Sequence, residues 1–82
     1  MAKASAEEIA VWARAEAAKI LQRPPERIDL DAKLSRLGLD SATAVHLMVM
    51  IEDWLGVELD PELAFEHPTL RRLAEAIAER LG

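Results

Sequence analysis

The sequence predicts an all-α fold, a small four-helix bundle with three longer helices, one short third helix and a long ordered loop between the first two. Three observations carry this expectation. Apolar residues fill 51% of the 82 positions but aromatics only 4%, so the core must be aliphatic, and Leu, Ile, Met and Ala suit packed helices better than a sheet. Apolar side chains recur at spacings of three and four along three long stretches, the period of a helix with one buried face. Each stretch is bounded by capping residues, proline or glycine, which start and stop helices.

Ser5 and Glu8 form a capping-box signature for the first helix. Ile9, Trp12, Ala13, Ala17, Ile20 and Leu21 then follow at helical spacing. Pro24-Pro25 ends the helix near Gln22 or Arg23, because proline cannot donate the next backbone bond. The connection from Pro24 to Asp40 is punctuated by Ile28, Leu30, Leu34, Leu37 and Leu39, which should pin it to the helices, with room for a short helical turn after Asp31. Connections this long within small domains are usually functional. Gly38 is its expected sharp turn, since glycine alone accepts a positive φ without penalty.

The second helix is expected from about Ser41 to Leu55, with Gly56 after it. Asp40 and Ser41 are both good N-cap types. Asp60-Pro61 reads as an N-cap and first helical position of the short third helix, ending near Glu66. Thr69 caps the fourth helix, whose stripe is Leu70, Leu73, Ala74, Ile77 and Leu81, and Gly82 ends it. Arg71, Arg72, Glu75 and Glu79 lie outside that stripe as a solvated face, with Glu75 four residues after Arg71, where a helical pair forms. Residues 1–82 make one domain on this reading, of a size that buries only about 60–65% of its unfolded surface.

Charge and composition exclude several functions. Ten basic against fifteen acidic residues give a net charge of −5, which opposes binding to nucleic-acid phosphates. No basic cluster marks a membrane surface site, and no apolar run reaches spanning length. Without cysteine there is neither a disulfide framework nor a thiolate nucleophile. Met1 to Glu8 lack the basic and apolar regions of a signal peptide. A cytoplasmic monomer is the expectation.

The second helix carries more apolar surface than one core face needs. Ala44, Leu47, Met48, Ile51 and Leu55 form an ordinary core stripe. Ala42, Val45 and Val49 form a second stripe, interleaved with His46, Glu52 and Asp53. Two readings are open: Val45 and Val49 pack beneath the long connection, or they form a docking surface rimmed by charge.

Catalysis fits poorly. A hydrolytic serine needs a neighbouring base, and His46, five residues after Ser41, falls roughly 140° around the helix from it. His46 and His67 have no metal-ligand spacing. Ser41 by position alone is a helix cap. A helix N-terminus nevertheless tolerates an attached phosphodiester, and the Asp40 carboxylate suits a magnesium ion during phosphoryl transfer.

Leu37-Gly38-Leu39-Asp40-Ser41 resembles the attachment motif of acyl carrier proteins. Phe65-Glu66-His67-Pro68-Thr69-Leu70, with Leu73-Ala74 and Ile77, is similar to the stretch entering the last helix of polyketide synthase carrier domains, and Ile28-Asp29 and Leu34 fall at the family's loop anchors. The resemblance spans nearly the whole chain. It implies a non-catalytic carrier in which Ser41 receives a 4′-phosphopantetheine arm from coenzyme A, with Asp40 as its motif partner. It further implies a phosphopantetheinyl transferase as partner, then acyltransferase, ketosynthase or other acyl-processing enzymes meeting Ala42, Val45, His46, Val49 and Glu52. Ala42 and His46 depart from the family's common leucine and glutamate, making the surface beside Ser41 smaller and less acidic. A peptidyl carrier with the same serine is the nearest alternative, and an unmodified helical interaction module using Val45 and Val49 the alternative of a different class.

Overall fold

Ser5 opens the first helix with a complete capping box: its hydroxyl accepts from the Glu8 amide at 3.1 Å, and the Glu8 carboxylate accepts from the Ser5 amide at 2.8 Å. In the computed structural model, which describes residues 4–81, that helix is α1 (Ala6–Leu21). It is followed by a 3-10 turn at Pro25–Arg27, then α2 (Leu34–Leu37), α3 (Ser41–Leu55), α4 (Leu63–Glu66) and α5 (Leu70–Leu81). No strand occurs among the described residues; Lys33 and Thr69 form an isolated antiparallel bridge. None of these helices is long and apolar enough to cross a membrane.

The expected three long helices and one short one are present, and the long connection adds a second short helix. α2 is four residues long, too short for a periodic signal, and it is held from outside: the Leu34 amide donates to the Pro68 carbonyl at 2.8 Å. Ile28, Leu30, Leu34, Leu37 and Leu39 of the connection are all buried. Gly38 closes α2 at φ 103°, where an added Cβ would lie 3.4 Å from the Leu21 side chain. α1 ends differently from the usual glycine pattern, with Gln22 itself left-handed at φ 57° and Pro24-Pro25 beyond it.

Two local expectations are corrected. Asp60-Pro61 precedes α4 rather than starting it: the Asp60 carboxylate accepts from the Glu62 amide at 2.9 Å, forming a turn that delays the helix to Leu63. An Asx turn and an N-cap use the same side-chain chemistry. Arg71 turns away from Glu75 and bonds Asp31, 2.6 Å from Nε to Oδ1, across forty residues of sequence. Thr69 does cap α5, accepting from the Arg72 amide at 3.1 Å. Gly82 and Met1 to Lys3 lie outside the described residues.

α1 packs chiefly on α5 and then on α3. Ile9, Leu47, Met48, Ile51, Leu63, Leu70, Leu73 and Ile77 are almost wholly buried between them. Burial of these aliphatic side chains is the main stabilising contribution, about 1.5–3 kcal/mol for each. Glu16 is the one buried charged residue among those described; its carboxylate accepts from Lys19 at 3.1 Å. The result is a body of 30 × 23 × 19 Å, with the head of α3 at the surface beside the α2 and α4 segments.

Candidate functional site

The ambiguity at the head of α3 is resolved in favour of Asp40 as the cap. Its Oδ1 accepts from the Thr43 amide and from the Thr43 hydroxyl, each at 2.9 Å. Ser41 is therefore the first helical residue, free of the capping duty, and exposed. A serine that caps its helix spends its oxygen on a backbone amide; here aspartate performs that task and leaves the serine hydroxyl facing outward.

The bonds from Thr43, the amide first and the hydroxyl second, hold the Asp40 carboxyl below the ordinary aspartate range. A folded value below the unfolded one means the ionised cap contributes stability above roughly pH 4 and loses it as pH falls through the folded value. Asp40→Asn, which caps without ionising, should therefore lose less stability between about pH 4 and pH 2 than the parent. Urea midpoints measured across that interval check this; equal acid losses in both proteins would contradict it.

Beside Ser41 lies a cleft of about 240 Å³. Leu34 and Leu39 come to it from the connection, Ala44 from α3, Ala64 and Phe65 from α4, and Pro68 from the segment before α5. Lys33, Ser35, Asp40 and Ser41 supply its polar edge. The two motifs that were distant in sequence, Leu37 to Ser41 and Phe65 to Leu70, thus meet at one place. The Leu34–Pro68 backbone bond and the Lys33–Thr69 bridge hold them together. Phe65 is 55% exposed at this edge. Lys33, Ser35 and Phe65 were not singled out as site residues from sequence; only membership of Phe65 in the downstream motif signalled it.

The second stripe of α3 is now placed. Val49 is 45% exposed and Val45 half-buried, neither within the core cluster. Ala42 and His46 are exposed, so these four residues and Ser41 share the outward side of α3. Glu52 is half-buried, and its carboxylate accepts a hydrogen bond from the Leu59 amide, which ties the end of α3 to the segment leading to α4. No group of three or more His, Asp or Glu is placed to share a metal ion among the described residues.

An exposed hydroxyl at a helix N-terminus, next to a partly apolar cleft with a cationic side chain, is chemically suited to carry a phosphodiester-linked arm. The helix end and Lys33 favour the negative charge. The apolar lining can receive an uncharged chain.

The sequence profile of the family described as the phosphopantetheine attachment site matches residues 11–77. The chain is 42% identical over 57 residues, 70% of its length, to erythronolide synthase EryA3 of Saccharopolyspora erythraea. It spans only about 2–3% of the length of the first curated relatives it matches. Among solved structures, a free-standing peptidyl carrier protein from Acinetobacter baumannii superposes with a TM-score of 0.89 at 33% identity, covering 95% of this chain and 98% of that one. Asl1650, an acyl carrier protein of Anabaena sp. PCC 7120, gives 0.86 at 35% identity, covering 96% and 90%. The chain belongs to the phosphopantetheine attachment-site family, a helical carrier domain whose prosthetic group is 4′-phosphopantetheine.

Proposed function

We propose that residues 1–82 act as one non-catalytic acyl carrier domain of polyketide biosynthesis and that Ser41 is the residue that bears the arm. The observation that carries this reading is the convergence of both motifs on the exposed Ser41 hydroxyl, through the cleft shared by Asp40, Phe65 and Pro68. The arm supplies a terminal thiol that holds an acyl group as a thioester. This chain's own residues position it: Asp40 fixes the helix start, Ser41 offers the attachment oxygen, and Lys33 lines the same cleft as a cationic residue. The Asp40 carboxylate, held at the helix start by both Thr43 bonds, would help hold a magnesium ion brought by the transferase during phosphoryl transfer. A tethered substrate then meets successive enzymes at high effective concentration.

The polyketide assignment rests on the likeness to relatives named as polyketide synthases, beside the likeness to erythronolide synthase. On this reading the partners are a phosphopantetheinyl transferase and acyl-processing enzymes such as an acyltransferase or ketosynthase. The domain is a monomer in its free form, works in the cytoplasm and binds neither nucleic acid nor membrane. Intact-mass measurement after incubation with coenzyme A, magnesium and a broad-specificity transferase tests the reading. One added phosphopantetheine is expected, and an unchanged mass on folded protein would refute it. The likeness to a peptidyl carrier protein supports the second reading, so the loaded protein should be offered both malonyl-loading and aminoacyl-adenylating enzymes. Loading by the adenylating enzyme alone would assign it to aminoacyl transport.

The outward side of α3, with Ala42, Val45, His46 and Val49, is the proposed partner surface, and Glu52 lies at its lower end with its carboxylate partly engaged by Leu59. Val49→Glu should reduce turnover by partner enzymes while stability stays within about 0.5 kcal/mol, the ordinary range for surface positions. Comparing transferase or acyltransferase rates with urea midpoints decides it. A large stability loss would place Val49 in the core instead.

A further inference from the structure

Trp12 of α1 and Trp54 of α3 stack in parallel, their ring centroids 4.5 Å apart and their planes within 2°. This pair is not sealed in the core. Trp12 is half-buried and Trp54 is 37% exposed, with Val11 at 44% beside them. Val11, Ala15 and the two rings line an open cleft of about 420 Å³, which continues past Trp54 to Met50. Trp54 comes five residues after Val49, about 140° around α3. The tryptophan face is therefore centred away from Val49 and adjoins the outward side of α3 at Asp53, which borders both.

The rim of this face is acidic. Glu7 and Glu8 border one end and Asp53 the other, and no Lys or Arg lines either cleft among the described residues. Arg71, whose field reaches Glu7, is already bonded to Asp31. Rigid stacked aromatics within a charged rim are the composition of an interface anchor. A second copy of this chain fits badly, because a two-fold contact would bring Glu7, Glu8 and Asp53 against the same acidic residues. A groove between two helices instead accepts a third helix with apolar residues at positions i, i+3, i+4 and i+7.

We infer that the Trp12–Trp54 face is a second docking surface, built to receive an amphipathic helix with basic flanks, and that it operates independently of the Ser41 side. A carrier with two such faces stays held by one partner while its arm is inside another enzyme. The inference does not depend on which residue bears the arm.

The chain contains only two tryptophans, both at this face, so intrinsic fluorescence reads the site directly. The probes are a synthetic amphipathic helical peptide with a Leu/Ala face flanked by Lys, and the same peptide with every Lys replaced by Glu, each titrated into the 82-residue chain. The Lys peptide should give a saturable spectral change about tenfold tighter than the Glu peptide, and added salt should weaken it. Val11→Glu should weaken the Lys peptide about tenfold by placing a charge in the apolar contact, with unchanged helical circular dichroism as its folding control. The double variant Glu7→Lys, Asp53→Lys should abolish the preference between the peptides, and Val49→Glu should leave the titration as it was. Equal binding of both peptides, no saturable change, or loss of binding in Val49→Glu would overturn the inference. So would a spectral change that follows protein concentration without peptide, which would make the occupant a second copy.

Discussion

Ser41→Ala should leave the chain at its unmodified mass after incubation with coenzyme A, magnesium and a transferase that loads the parent completely. The expected effect is total, because no other oxygen has the same setting. Ser41 heads a fifteen-residue helix, is exposed, and borders the cleft shared with Phe65 and Pro68. Ser5 is engaged in a capping box, and Ser35 lies in the four-residue α2. The variant should also fold. Asp40, not Ser41, caps α3, and alanine is the best helix former. Near-ultraviolet and far-ultraviolet circular dichroism should therefore overlay with the parent. Mass gain persisting in Ser41→Ala would move the attachment to another residue. Loss of mass gain together with loss of structure would leave the assignment to a second variant, Ser41→Asn, whose short polar side chain suits a helix start and which is to remain folded and unmodified.

Leu47→Ala should lower stability by about 2–5 kcal/mol, from the lost transfer of the side chain and the cavity it leaves. Leu47 is 1% exposed at the middle of α3, where its buried neighbours on the helix are Ala44, Met48 and Ile51. Domains of this kind have a total stability of about 5–15 kcal/mol, so the loss is a large share. The melting temperature should fall by about 4–8 °C for each kcal/mol. Urea denaturation gives the free energy and thermal melting the temperature. A change under about 1 kcal/mol would mean that α3 is not packed by this face. Val49, two residues along the helix and 45% exposed, supplies the contrast: similar aliphatic chemistry with little effect on folding.

That contrast marks how far the chain could be read without coordinates. The core stripe of α3 was legible because helical spacing alone separates Ala44, Leu47, Met48, Ile51 and Leu55 from the rest, and all five are buried. The second stripe was ambiguous, since isolated valines fit burial and docking equally well in a one-dimensional pattern. Exposure of Val49 excludes its burial beneath the connection, while the partner role of this side remains our proposal. The capping box at Ser5, the left-handed glycines at 38 and 56 and the Thr69 cap were also readable. Each depends on residues within four positions of one another.

What could not be read spans longer distances or rests on too few residues. α2 has four residues and owes its place to the Leu34–Pro68 bond. Asp60-Pro61 carries the same local chemistry in a turn as in a helix start. Arg71 had a neighbour of opposite charge one turn away in Glu75, yet bonds Asp31 from the distant connection. The sequence by itself determined the helical class, the main helix boundaries, the family likeness and Ser41 as the candidate attachment point, because propensity, capping and periodicity act locally. The tertiary structure alone decided that Asp40 rather than Ser41 caps α3, that both motifs share one cleft, and that Trp12 lies on Trp54. Those outcomes depend on which helix faces meet once the aliphatic core is buried, a choice made by packing among segments far apart in the chain.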